Sequence, residues 1–260
     1  MPNIWRLLPQ IHASGASQMV LDSWLLDRHC QEDLPQSVLR FYRWSPGAIS
    51  LGYHQTEIPA HWHDLAIAHG LDIVRRPSGG RAVLHEGDLT YAVLTSANSK
   101  KRRDVYTHIN EFLIKGFASL GIHLSYSQPT YNKPERAYIR DRNCFATATS
   151  ADLVTSDGRK LIGSAQVYRR NSVLQHGSIA IAPNYELLAQ IFESKTPIVS
   201  LTELLHGKAN ATESEVDNLC DRVVTALTDA AAKHFDAKFE ELSLPQDFRK
   251  SLALKVRAKS

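Results

Sequence analysis

The stretch RRPSGGRAVLHEGDLTYAVL, residues 75 to 94, decides how the chain is read. Two arginines and a proline lead into paired glycines. A third arginine, a short apolar run, His85, two acids and a clean strand follow. Gly79 and Gly80 allow positive φ and close approach of a ligand to the backbone. Arg75 and Arg76 are suited to carboxylate or phosphate. A bare RxxxGG is most simply a basic surface turn. Here the apolar segments LDIVRR, AVLH and LTYAVLT bracket it as strands. The turn-forming EGD places His85 just before a turn and Asp88 just after it. Strands that deliver glycines and polar groups to one spot build a pocket wall.

Working outward, strands dominate residues 38 to 182. VLRFYRW (38–44) is a strand, SPG turns the chain, and AISLGYH (48–54) reads as its return strand. SADLVTSDGRKLIGSAQVY (150–168) is a hairpin around Asp157-Gly158, and VLQHGSIAIA (173–182) is a further strand. Apolar residues at helical spacing mark 17–29 with Ser17 as cap, 62–70 ended by Gly70, 104–120 stopped by Gly121, 184–194 and 214–235. KFEELSLPQDFRKSLALKV holds a short strand and a terminal helix. No GxGxxG follows a strand and opens a helix, so a Rossmann unit is not expected. The pattern predicts an α/β (α+β) fold with a mixed or antiparallel sheet and flanking helices. Residues 1–210 are expected to form the main domain, the one that would carry any catalytic site, and 211–260 a helical C-terminal extension packed on it.

Composition narrows the function. The chain has 260 residues, 43% of them hydrophobic, enough for a real core. Its net charge of +3, from 30 basic and 27 acidic residues, is too mild to argue for nucleic acid by itself, so none is expected, and it permits an acidic protein as partner. KKRR (100–103) is the charge run that such a partner would meet, although such runs are usually solvated helix entries. Cys30, Cys144 and Cys220 make neither a disulfide framework nor a CxxC pair, so no metal is expected. Neither a signal peptide nor a membrane span is expected. The reading is a reduced, cytoplasmic protein.

Three further clusters carry chemistry. In GRKLIGSAQ (158–166), Lys160 lies two residues past the hairpin turn, and Gly163, Ser164 and Ala165 make the strand narrow. An exposed strand lysine is the ordinary reading; small residues beside it leave room for a substrate. In LQHGSI, His176-Gly177 interrupts a strand, usually a structural feature. Cys144 sits in DRNCFATAT with Arg140 and Arg142 close by, a setting that favours a thiolate. Cys30 and Cys220 fall in or beside helices and read as packing residues.

Taken together, RRPSGGRAVLHEGDLTYAV, GRKLIGSAQ and LQHGS resemble the lipoate and biotin protein ligase superfamily. MVLDSWLL and FYRWSPGAISLGYHQ belong to the same resemblance, which covers most of residues 18–182. It implies the mixed-sheet core of that superfamily. NCF followed by GRKLIGSAQ and LQHGS looks most like the cysteine-dependent octanoyltransferases. That implies Cys144 as the carrier of an acyl thioester and Lys160 as the cation that lowers its pKa. Arg75, Arg76, Ser78, Gly79, Gly80, His85, Gly163, Ser164, Ala165, His176 and Gly177 are then substrate-binding. Val83 and Ile162 are candidates to line an acyl tunnel. Ser78, Ala82 and Glu86 stand where threonine, glycine and aspartate are common; no reactive group is lost. The implied donor is octanoyl-acyl carrier protein. The implied acceptor is a lysine of a lipoyl carrier domain or of glycine cleavage H protein, and no cofactor is needed. An ATP-dependent lipoate-protein ligase and an amidotransferase acting between carrier domains are the alternatives within the superfamily. Outside the enzyme class, an inactive acyl-binding paralogue or a basic interaction module using KKRR would leave Cys144 and Lys160 without a role.

Overall fold

The computed structural model describes residues 3–33, 35–97, 99, 101–127, 152–193, 197–252 and 255–256. Cys144, with Arg140 and Arg142, lies outside the described residues, as does Lys100. The chain opens with strand β1 (Asn3–Ala13), helix α1 (Gly15–Gln31), β2 (Val38–Trp44) and β3 (Ala48–Leu51). Next come α2 (Ala60–His69), β4 (Asp72–Arg75), β5 (Val83–His85), β6 (Asp88–Ser96), α3 (Arg102–Ser119) and β7 (Ser125–Tyr126). Then follow β8 (Leu153–Val154), β9 (Lys160–Arg169), β10 (Ser172–Ala180), α4 (Tyr185–Phe192) and α5 (Leu201–His206). Helix α6 (Glu213–His234), β11 (Ala237–Glu241), α7 (Gln246–Ser251) and β12 (Lys255–Val256) complete it.

The large sheet runs β11-β1-β2-β6-β10-β9-β8-β7, with β12 also on β1. β1 is parallel to both β11 and β2, and the strands from β2 to β7 pair antiparallel. The sheet is therefore mixed. One face carries the main core, where Phe112, Phe117 and Leu113 of α3 and Val223 and Leu227 of α6 pack on Phe41, Tyr91 and Ile162. The other face is covered by α1, whose Leu21, Leu25 and Leu26 meet Ala92, Leu94 and Leu174. A side chain of this kind contributes about 1.5–3 kcal/mol on full burial.

Several expectations are revised. β3 does not return alongside β2; it enters a second, three-stranded sheet, β4-β3-β5, parallel to β4 and antiparallel to β5. A tight SPG turn reads as a hairpin from sequence, but Ile49 and Leu51 bury against Trp62, Leu187 and Ile191 in a third apolar cluster. The cap of α1 is Ser14, not Ser17: Ser14 Oγ accepts from the Ser17 N–H. β1 has no clear alternation, since Arg6, Pro9 and Gln10 interrupt it, and it is recognised only through its partners. Helix α5 is short but carries a full capping box from Ser200 and Glu203. The C-terminal segment joins the core directly. The buried face of α6 belongs to the main cluster, and β11 extends the large sheet. Among the described residues no helix is long and apolar enough to cross a membrane.

Cys220 is fully buried on α6, and burial pushes its thiol up to about 12. Thiol reagents at pH 8 should therefore modify Cys220 only after denaturation. Peptide mapping of native and urea-treated protein measures this, and rapid native labelling would contradict the packing described.

Candidate active site

Arg75 and Arg76 both spend their guanidinium groups on the surrounding backbone, and Arg76 is buried. Arg75 Nη1 donates to the carbonyls of Gly52 (2.9 Å), Tyr53 (3.3 Å) and Gln55. Arg76 Nη1 donates to the Ser50 carbonyl (2.8 Å) and Oγ (3.0 Å), and its Nη2 to the carbonyls of Gly79 (3.0 Å) and Arg81 (2.6 Å). Each guanidinium spends a planar set of donors on the carbonyls of nearby loops and so fixes their course. The two loops they staple cross at Gly52 and Gly80. A Cβ on Gly52 would overlap the Gly80 carbonyl, so only glycine permits the crossing.

Two histidines hold opposite sides of the site. His176 Nδ1 lies 3.0 Å from Asp22 Oδ2, and its Nε2 lies 2.5 Å from Ser78 Oγ. Asp22 also accepts from Arg40 Nη1 (2.7 Å) and the Tyr42 hydroxyl (3.1 Å), and Arg40 reaches Gln18 as well. Burial pushes the Asp22 carboxyl up, but the Arg40 guanidinium, with His176 and Tyr42, outweighs it and holds the group below the usual carboxylate value. His85 Nδ1 is 2.8 Å from Asp88 Oδ2, and its Nε2 is 2.9 Å from Ser50 Oγ. Asp88 also accepts from Ser178 (2.7 Å) and Thr90 (3.2 Å). Trp44 stacks on the His85 ring at 3.9 Å and donates to Thr90 Oγ1. A carboxylate only accepts, so Nδ1 of each histidine carries a proton. Burial pulls the His85 pKa down, and Arg76 and His176 add to this against the opposing pull of Asp88.

Between these two histidines lies a small cavity of about 50 Å³. Strand parity builds its wall. Ala165 pairs with His176, Ser164 with Gly177, and Gly163 with Ser178, and β6 places Thr90 beside Ser178. Successive strand residues face opposite sides. Gly163 and Ala165 therefore keep the cavity side narrow, opposite His176, Ser178 and Thr90. The Ser164 hydroxyl points the other way and meets the Tyr91 hydroxyl at 2.8 Å, across Gly177. A Cβ on Gly177 would come within 2.6 Å of both Ser164 Oγ and Tyr91 Cε1. Behind the wall, Gln175 joins Tyr91 and Asn110, and Gln166 joins Gln175.

The structure thus brings Arg76, Gly80, His85, Gly163, Ser164, Ala165, His176 and Gly177 together around one cavity. Val83 lines it; Ile162 packs in the core behind the sheet. Ser78 is buried beneath the cavity loop on His176, and Arg75 serves the neighbouring loop. Lys160 does not line the cavity. Its Nζ lies 2.9 Å from Asp152 Oδ1, with side-chain exposures of only 1% and 3%. It precedes Gly163 by about 10 Å along the strand, at 3.3 Å per residue. Asp22, Arg40, Tyr42, Trp44 and Ser50 were not singled out from sequence. One signal existed for Asp22: a carboxylate inside the apolar spacing of α1, between Leu21 and Leu25.

The lipoyl protein ligase A/B catalytic-domain model matches residues 14–239, a span that includes every element of this cavity. The chain belongs to that family. The octanoyltransferase LipM of Geobacillus kaustophilus is 35% identical over 229 residues, covering 85% of this chain and 81% of that protein. The octanoyltransferase LipM of Bacillus subtilis is 32% identical over 242 residues, covering 91% and 85%. The family's enzymes are transferases and ligases, and these relatives place the chain among the transferases. Its fold is that of lipoate ligases. A lipoate-protein ligase A bound with ATP superposes with a TM-score of 0.74 at 19% identity, covering 96% of this chain and 92% of that one. A bi-partite lipoate protein ligase from Thermoplasma acidophilum gives 0.69 at 20%, covering 96% and 90%.

Asp22→Asn leaves Arg40 buried beside a neutral group and should cost about 3–5 kcal/mol in urea unfolding. A loss under 1 kcal/mol would show that the ion pair is dispensable. The histidines set a pH dependence. Burial holds His85, His29 and His234 below the ordinary 6.5, so the unfolded chain takes up protons first. Their contribution is complete above 6.5 and is lost as pH falls from there through the folded values. The melting temperature should decline from pH 6.5 to pH 5, and a flat profile would contradict the burial of these rings.

Proposed function

We propose that the protein is an octanoyltransferase of lipoate biosynthesis, moving octanoyl from acyl carrier protein to a lysine of a lipoyl carrier domain or H protein. The observation that carries this reading is the 30–35% identity to octanoyltransferases along most of the chain. The cavity supports it. Its wall is narrowed by Gly163 and Ala165, and Met19 and Val83 are apolar linings suited to an alkyl chain. The one guanidinium among its lining residues, Arg76, is bonded to backbone carbonyls and to Ser50.

In this reading Cys144 attacks the donor thioester, and the carrier thiolate leaves. The acyl group then sits on Cys144 until the acceptor amine displaces it, which divides the transfer into two steps. Lys160 supplies the cation that favours the thiolate and the developing oxyanion. The buried pair with Asp152 fixes where that charge stands. The donor is already an activated thioester, so ATP has no part in the reaction.

Cys144→Ala should lower turnover by about 10⁴-fold or more, as loss of a nucleophile does. Cys30→Ala and Cys220→Ala should leave it intact. Wild-type turnover in Cys144→Ala would sink the thioester mechanism. Intact mass should show an octanoyl adduct after incubation with octanoyl-carrier protein alone. Product formed only from free octanoate or lipoate with ATP and magnesium would make the chain a ligase. Lys160→Met should raise the pH at which the Cys144 thiol is alkylated, because removing a cation disfavours the thiolate. Normal transfer by Lys160→Met would remove Lys160 from the site.

A further inference from the structure

We propose that Ser50, His85 and Asp88 form a proton relay that takes the proton from the attacking amine. The proposal rests on the reading of the chain as an acyltransferase to lysine. It does not depend on which sulfur carries the acyl group.

Ser50 Oγ has one proton and two acceptor positions. Arg76 Nη1 donates to it at 3.0 Å and occupies one acceptor position. His85 Nδ1 bears a proton for Asp88, so His85 Nε2 offers a lone pair, and the Ser50 proton points at it across 2.9 Å. Among the described residues no other group bonds Ser50 Oγ, which leaves one acceptor position. Ser50 and His85 both line the cavity. An N–H arriving there meets an oxygen already committed to passing its own proton on.

The other histidine is built differently. Ser78, its hydroxyl partner, does not line the cavity, whereas Ser50, equally buried, does. The Ser78 carbonyl accepts from the Tyr53 N–H, so that chain ends inside a loop. Both histidines line the cavity, but only His85 is joined to a hydroxyl that lines it too. The groups facing His85 are Asp88 of β6, Arg76 of the 76–81 loop and His176 of β10, with the Trp44 ring of β2 stacked on it. Burial keeps His85 unprotonated near neutrality, the state that can accept a proton.

The unprotonated lysine amine attacks the thioester carbonyl, and a C–N bond forms. The adduct nitrogen gives one proton to Ser50 Oγ as the Ser50 proton passes to His85 Nε2. The C–S bond breaks, and the thiolate leaves with its electron pair. The imidazolium, balanced by Asp88, returns its proton to solvent.

The test compares two acceptors, a lipoyl carrier domain and hydroxylamine, with octanoyl-carrier protein as donor. Hydroxylamine is a neutral nucleophile at pH 7, and its adduct loses a proton to water readily. Ser50→Ala and His85→Gln should lower transfer to lysine by about 10²-fold, the smaller end of general-base effects, and leave hydroxylamine trapping within a few-fold of wild type. Ser50→Thr keeps a hydroxyl and should restore most of the lysine transfer. Equal loss with both acceptors, or no loss with lysine, would overturn the relay. Wild-type protein inactive with both acceptors would instead overturn the acyltransferase reading itself.

Discussion

The buried carboxylate of Asp22 joins four separate parts of the chain. It sits on α1, pairs with Arg40 of β2, receives a proton donor from His176 of β10, and through His176 reaches Ser78 in the glycine loop. Other polar bonds, such as Gln18 Nε2 to the Arg43 carbonyl and His29 to Ser172, also tie α1 to the sheet. A carboxylate with one guanidinium, one imidazole and one phenol around it has a single low-energy arrangement. Moving any partner strands a charge in a medium where an isolated ion is very costly. The position of the cavity relative to α1 follows from this constraint.

The second determinant is the absence of side chains. Gly52 beneath Gly80 lets the two loops cross, and Gly177 lets Tyr91 reach Ser164 over the sheet. The GSAQ motif divides by strand parity. Gly163 and Ala165 shape the cavity, while Ser164 and Gln166 tie β9 to Tyr91 and Gln175 on the face covered by α3 and α6. Half of a motif that reads as substrate-binding is thus the bracing of the wall. The arginines of RRPSGG show the same economy. They organise the loops by saturating carbonyls, and the loop's shape, more than its charge, is presented to the cavity.

Periodicity and turn chemistry determined most of the elements from sequence alone. The hairpin at Asp157-Gly158, the helices ending at Gly70 and Gly121, and the long helix after residue 212 depend on local spacing and caps, which act over a few residues. Parts of the motifs RRPSGG, GRKLIGSAQ and LQHGS lie around one cavity, while Lys160 stands apart on Asp152. Tertiary structure alone decided the rest. β1 is a strand because β2 and β11 pair with it, and β3 leaves β2 for a second sheet because Ile49 and Leu51 find their apolar partners there. Asp22 and Ser50 acquire their roles from residues 154 and 35 positions away, His176 and His85. No local pattern encodes such a pairing, because a hydrogen bond's worth is set by the burial and geometry that only the assembled fold supplies.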